Sequence, residues 1–284
     1  MSPHKMPPSM RQRRLGAELR RLRELADLSV TEAAALEGST QPRLSSIEAG
    51  RYAVGADRVR AMARNYGCMD EAYIEALAEM TGGRVRGWWD EYRERLPADA
   101  LELAEAEHHT AAFRYATMAH IPGLLQTRAH AYAVIADAVP PFHPPAIEHR
   151  VSFRIKRQEV LYREDPAPLT AILHETGLRM GFGGPETSRA QLEHLLQVSE
   201  MPHVTIRVIP FGVGSYPSSG AGVTYLAGRV PELDTVQLDT DHGPAFLDTR
   251  PQLAKYRIVL DSMETCSLTP AKSRDLIHRV RREL

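Results

Sequence analysis

Cysteine is nearly missing from this 284-residue sequence: Cys68 and Cys266 stand alone, far apart and outside any C-x-x-C pattern. A disulfide framework and a cysteine zinc site are both excluded. No run approaches the ~18 apolar residues that a membrane span requires. The first fourteen residues are polar and basic, without the apolar core of a secretory signal. Net charge is also small, since 35 basic and 36 acidic residues leave a formal −1. The chain contains no H-E-x-x-H, no phosphate-binding G-x-x-x-x-G-K loop and no G-x-S-x-G elbow. These absences point to a reduced, cytoplasmic protein and give no reason to expect an enzyme, a metal or a cofactor. With 43% hydrophobic residues and a length near two domains of ~150 residues, there is room for a sizeable core.

Charge is present but unevenly spread. Residues 1–66 hold twelve basic groups against seven acidic ones, an excess of five positive charges. Residues 67–107 are the acidic extreme, with eleven carboxylates against four arginines. Such asymmetry suggests a nucleic-acid-facing module joined to a neutral or acidic partner, or a patchy solvated surface, and a motif must decide between them.

The motif lies in the first 80 residues, which read as short helices. Leu15, Leu19, Leu22 and Ala26 recur at helical spacing over 11–26, beneath an arginine-rich outer face. Ser29 and Glu32 form the S-x-x-E start of a second helix over 30–37, which stops at Gly38. Thr40 caps a third over 41–49, with Pro42 where a missing N–H costs nothing and Gly50 as its stop. A fourth helix is expected over 57–66 and a fifth over 70–80. Ala34, Gly38, Leu44 and Ile47 supply the small crossing residue, turn glycine and apolar anchors of a helix-turn-helix. Arg23 and Glu48 are spaced for a salt bridge between the first helix and the end of the third.

Residues 15–66 resemble the Cro/C1-type helix-turn-helix of the XRE family, most closely in LSVTEAAALEGSTQPRLSSIEAG (28–50). The sequence departs from that family at Val30, where a phosphate-gripping glutamine is frequent; Thr31 or backbone amides would take over that contact. The resemblance implies a recognition helix that enters the major groove N-terminus first. Gln41, Pro42, Arg43 and Ser46 are then the base-reading group, with Gln41 suited to adenine and Arg43 to guanine. Thr31, Thr40, Ser45 and Arg51 are expected on phosphates, which position without reading sequence. Residues 1–14 are expected as a flexible basic arm and 15–80 as the DNA-binding domain.

Residues 81–284 form the second domain, after a hinge at Thr81-Gly82-Gly83-Arg84. Helices are expected from Trp89 to about Tyr115, and over 128–138, 146–163, 186–199, 249–263 and 270–282. In the helix over 146–163, Arg150, Arg154 and Arg157 are expected to face outward. Short β-prone runs occupy 169–173, 204–209, 223–226 and 236–238. Mixed elements without βαβ alternation give an α+β class behind an all-α five-helix head. Trp88 and Trp89 read as packing anchors, and the glycine-rich stretch 211–222 as a loop. His108 and His109 diverge on adjacent positions and are poorly placed to share a metal. Asp239, Asp241 and His242 form a polar turn or line a pocket.

GWWDEY (87–92), PGLLQT (122–127), R-x-x-R (154–157), HETGLR (174–179) and VTIRVIPF (204–211) occur in the order found in a C-terminal domain. That domain accompanies the XRE helix-turn-helix in actinobacterial, WhiJ-like regulators. The resemblance implies a transcriptional regulator that binds double-stranded DNA. It also implies a C-terminal domain that docks a small, nearby-encoded partner protein in an antitoxin-like manner. The alternative is a ligand-responsive repressor with a small-molecule pocket in that domain. Heads of this kind bind pseudo-palindromic sites as dimers, so a homodimer is expected, joined through 67–115 or the C-terminal domain.

Overall fold

The computed structural model describes residues 7–82, 87–217, 222–240 and 243–284. It divides into two compact units, Met1–Trp88 and Trp89–Leu284. The hinge residues Gly83 and Arg84 lie outside the described residues.

Among the described residues the first unit is built from α1 (Met10–Leu25), α2 (Val30–Leu36), α3 (Gln41–Glu48), α4 (Ala56–Asn65) and α5 (Glu71–Glu79). Each lies within a residue or so of the range its spacing and caps indicate. Ser29 and Glu32 form the reciprocal capping box at the start of α2. Packing of α1 on α3 and α4, α2 on α3, and α4 on α5 buries Leu19, Ala33, Leu44, Ile47, Met62 and Ile74. At Gly16 a Cβ would stand 2.4 Å from the Glu48 carbonyl oxygen, so only glycine lets α1 come this close to α3. Gly50, at φ +68°, does the same beneath Gln12 and turns the chain out of α3.

The expectation of a basic arm over 1–14 is corrected in part. Helix α1 begins at Met10, and Ser9 caps it through a reciprocal bond with Gln12. Arg11, Arg13 and Arg14 therefore sit on a helix, and Arg14 is buried against Glu18. A capped helix satisfies the backbone donors that an arm would leave to solvent.

The second unit is a six-stranded sheet ordered β3-β2-β1-β4-β5-β6. Its strands are β1 (Ala112–Thr117), β2 (Leu169–His174), β3 (Val204–Ile209), β4 (Val223–Ala227), β5 (Thr235–Thr240) and β6 (Gly243–Leu247). The pairs β1–β2 and β2–β3 are parallel, whereas β4, β5 and β6 extend the sheet antiparallel from the other side of β1. α6 (Ala98–His108) precedes the sheet, α7 (Arg128–Ala136) and α8 (Pro144–Arg157) connect β1 to β2, and α9 (Glu175–Arg179) and α10 (Gly184–Val198) connect β2 to β3. α11 (Arg250–Cys266) and α12 (Pro270–Glu283) complete the chain. One sheet face packs Phe113, Tyr115, Leu173 and Val208 against α10 and α12. The other packs Ala116, Ile172, Tyr225 and Val236 against α11.

The class is α+β, as the sequence indicates, but three local expectations are corrected. The helix drawn to Tyr115 ends at His108, and 112–117 is the central strand. Phe113 and Tyr115 alternate with half-buried Ala112 and Arg114, a period of two that the acidic helical run before them conceals. The parallel half does contain βαβ crossovers. In α8, two of the three arginines expected to face outward do not: Arg157 is enclosed with Glu107, and Arg154 donates to the Gln126 side-chain amide oxygen at 3.0 Å. Arg150 alone lies over a ring, that of the exposed Phe142. Three and four positions apart on one helix, Arg154 and Arg157 share the buried stripe with Val151 and Phe153 nearby.

Candidate nucleic-acid interface

The α2–turn–α3 unit owes its geometry to a few side chains. Ala33 and Ala34 are small and buried where α2 meets α3. Gly38 takes φ +56° in the turn, a region costly for most L-residues. Leu44 and Ile47 are only 1% and 3% exposed, so they fix which face of α3 points away from the core. That outward face carries Gln41, Pro42 and Arg43 exposed, with Ser45 and Ser46 half-exposed.

The leading end of α3 is open electrostatically as well as sterically. Thr40 is its N-cap but makes no side-chain capping bond, and Pro42 occupies the first turn. The N–H groups of Gln41 and Arg43 therefore have no intrahelical partner. Together with the positive end of the helix dipole, they favour an anion there. The Arg43 guanidinium lies 4.7 Å from the centre of the Tyr52 ring, a support the sequence reading overlooked. Aromatic Tyr52, two residues beyond Gly50, was its only signal. The Ser46 hydroxyl donates to the Pro42 carbonyl at 2.8 Å, so its proton is engaged and its oxygen is left to accept. Thr31 and Thr40 are exposed, as is Arg51 just after the helix.

The charge pattern singles out this end. Of the eleven arginines between residues 1 and 66, nine are committed. Arg14, Arg20, Arg21, Arg23, Arg60 and Arg64 pair with carboxylates. Arg11, Arg13 and Arg58 donate to the carbonyls of Glu79, Pro8 and Glu37. Of these eleven, all among the described residues, Arg43 and Arg51 are left with neither a carboxylate nor a carbonyl partner, and they stand at the two ends of α3. The i,i+4 pairs Arg14–Glu18 and Arg20–Glu24 have the spacing of helical ion pairs, and they neutralise part of the arginine-rich outer face of the first helix.

The Arg23–Glu48 bridge forms as the spacing indicates. Arg23 donates from Nε at 2.6 Å and from a terminal nitrogen at 3.0 Å to the two Glu48 oxygens, and also to the Leu28 carbonyl. Its pKa is raised, chiefly by the hydrogen bond to Glu48 against the opposing cost of burial. The bridge joins the ends of α1 and α3 on the side away from the exposed residues.

The remaining candidates lie in the second unit or at the junction of the two. Trp89 is buried and its ring stands 5.2 Å from that of His108, a packing arrangement. His108 and His109 are 5.0 Å apart, edge to face. Among the described residues no group of three His, Cys, Asp or Glu side chains is arranged to hold a metal ion. Asp239 accepts from Gln237 at 2.6 Å; Asp241, His242 and residues 218–221 of the glycine-rich stretch lie outside the described residues. Among the described residues no helix is long and apolar enough to cross a membrane.

Comparison with known families divides the chain at nearly the same place. Residues 14–77 match a model described as a helix-turn-helix domain. Residues 101–279, more than half of the chain, match a model described as a domain of unknown function (DUF5753). No curated protein and no solved structure matched the chain.

Proposed function

The chain belongs to the DUF5753 family and carries a helix-turn-helix domain ahead of that region, and from this premise we propose a sequence-specific, XRE-type transcriptional regulator of the cytoplasm. The helix-turn-helix match supports a DNA-binding regulator, a class typically without enzymatic activity. In the finer reading, α3 enters the major groove by its leading end. Gln41 and Arg43 read base edges, with Pro42 and Ser46 beside them. Thr31, Thr40, Ser45 and Arg51 hold phosphates. The observation that carries this reading is a pair of arginines without a carboxylate or carbonyl partner, one at each end of an α3 whose first amides are free.

Arg51→Ala tests the phosphate role. It should weaken binding to every duplex about equally and reduce the slope of log K against log salt by about one unit. An unchanged slope in fluorescence-anisotropy titrations would remove Arg51 from the phosphate contacts.

The second unit is assigned two tasks, dimerisation and antitoxin-like docking of a small partner protein, as in WhiJ-like regulators. Two copies would present two α3 helices to half-sites ~34 Å apart. Light scattering at micromolar concentration should return twice the 31.7 kDa chain mass; a monomer mass contradicts the dimer. A ligand-responsive repressor is the second reading, favoured by a buried polar cluster in the sheet domain.

A further inference from the structure

Tyr115 and Thr117 project from the same face of β1, near its C-terminal end. Tyr115 is 4% exposed, and neither its hydroxyl nor that of Thr117 has a hydrogen-bond partner. His130, from α7, is 3% exposed, with both ring nitrogens unbonded. Its ring meets that of Phe182 at 5.5 Å, and His120 stacks on the same Phe182 at 4.9 Å. Burial, then the neighbouring charges of His120 and Arg154, lowers the His130 pKa to about 4. The ring is therefore neutral at neutral pH, one nitrogen a donor and the other an acceptor.

Arg154 supplies the cation of this cluster. Its single hydrogen bond goes to the neutral Gln126 amide, and among the described residues it has no ion-pair partner. The neighbouring Arg157 is different, because Glu107 accepts from two of its nitrogens at 2.7 and 2.6 Å. Asp239 is within electrostatic reach of Arg154, Tyr115 and His120, but it is exposed and bonded to Gln237. The PGLLQT segment is held in place by three amides. Gln126 donates to Ile121, Gln158 to Gly123 and Gln126, and Gln191 to Leu125.

The cluster also occupies a telling place in the sheet. From β1 the chain steps outward through β2 to β3, then crosses to β4 on the opposite side. The strand order therefore reverses at β1, which carries parallel β2 on one side and antiparallel β4 on the other. Four buried polar atoms without partners would each cost stability if nothing satisfied them. Three side-chain types that can donate, around a cation that among the described residues forms no ion pair, match an oxyanion.

We propose that the C-terminal end of β1 is a binding site for a small molecule bearing a carboxylate or phosphate, with Arg154 pairing the oxyanion and Tyr115, Thr117 and His130 donating to it. The site deepens the ligand-responsive reading; it does not depend on how α3 meets DNA.

The test uses the full-length protein at constant ionic strength, with sodium phosphate or sodium acetate replacing sodium chloride. At saturation, at least one of the two anions should raise the melting temperature of the sheet domain by at least ~2 °C. Comparison of the two separates a phosphate from a carboxylate preference. Thr117→Val and Tyr115→Phe remove hydroxyls that bond nothing, so they should keep the chloride melting temperature while weakening the anion at least about fivefold by calorimetry. Arg154→Gln should abolish the response, and Arg51→Ala, in the other unit, should keep it. An absent response to both anions, or an unaltered one in Thr117→Val and Tyr115→Phe, overturns the site. Anion binding that leaves DNA affinity unchanged keeps the site and removes the ligand-responsive reading.

Discussion

Glu107→Ala is expected to cost roughly 3–5 kcal/mol of stability, the range for removing one partner of a buried ion pair. Glu107 is 1% exposed, and its two oxygens accept from Arg157 Nε and a terminal Arg157 nitrogen. Burial by itself pushes the Arg157 pKa down, but the Glu107 charge and hydrogen bonds outweigh it, and the net shift is upward. Truncation would leave that guanidinium enclosed beside a second cation, Arg154, with no other ion-pair partner among the described residues and the exposed Asp239 acting only at longer range. A domain of this size loses about 2–4 °C per kcal/mol, so the melting temperature should fall by roughly 6–20 °C. The double variant Glu107→Leu/Arg157→Met should recover most of the loss, since replacing both charges removes the desolvation problem. A fall below about 1 kcal/mol in urea unfolding of the single variant would show that solvent reaches the pair.

Glu48→Ala is the counterpart in the first unit, with an expected loss of roughly 3 kcal/mol, the lower end of the same range. Both side chains of the Arg23–Glu48 bridge are below 10% exposed, but Arg23 would retain its bond to the Leu28 carbonyl. The functional consequence differs from that of a contact residue. Glu48 faces the core side of α3, so its loss loosens the helix and should weaken all duplexes together. The preferred sequence should stay the same. A changed preference in Glu48→Ala would mean that this carboxylate has a part in reading bases.

These two bridges also mark how far the sequence could be read. Arg23 and Glu48 sit on helices whose caps and periodicity are strong, so their faces follow from spacing. Arg157 and Glu107 are fifty residues apart, joined only by tertiary packing, and an arginine on a helix was assigned to solvent because most arginines are there. The same limit hid Arg154 and the cluster around Tyr115. β1 was lost because helical acidic sequence runs directly into it, and β6 because its Gly-Pro start reads as a turn. Pro244 is tolerated there because β6 is an edge strand. The outward face of α3 was fully legible. Leu44 and Ile47 fix its orientation, and Gln41 and Arg43 follow from one helical turn. What the spacing does not disclose is that nine other arginines of residues 1–66 are already engaged.

The central claim is that the leading end of α3 chooses among base sequences. It is tested most directly by selecting bound duplexes from a random pool with the wild-type protein, Gln41→Ala and Arg51→Ala. The account predicts one enriched motif for the wild type, the same motif with Arg51→Ala, and a motif altered or relaxed at one position per half-site with Gln41→Ala. Identical motifs from all three proteins, or no enrichment by the wild type, would contradict it.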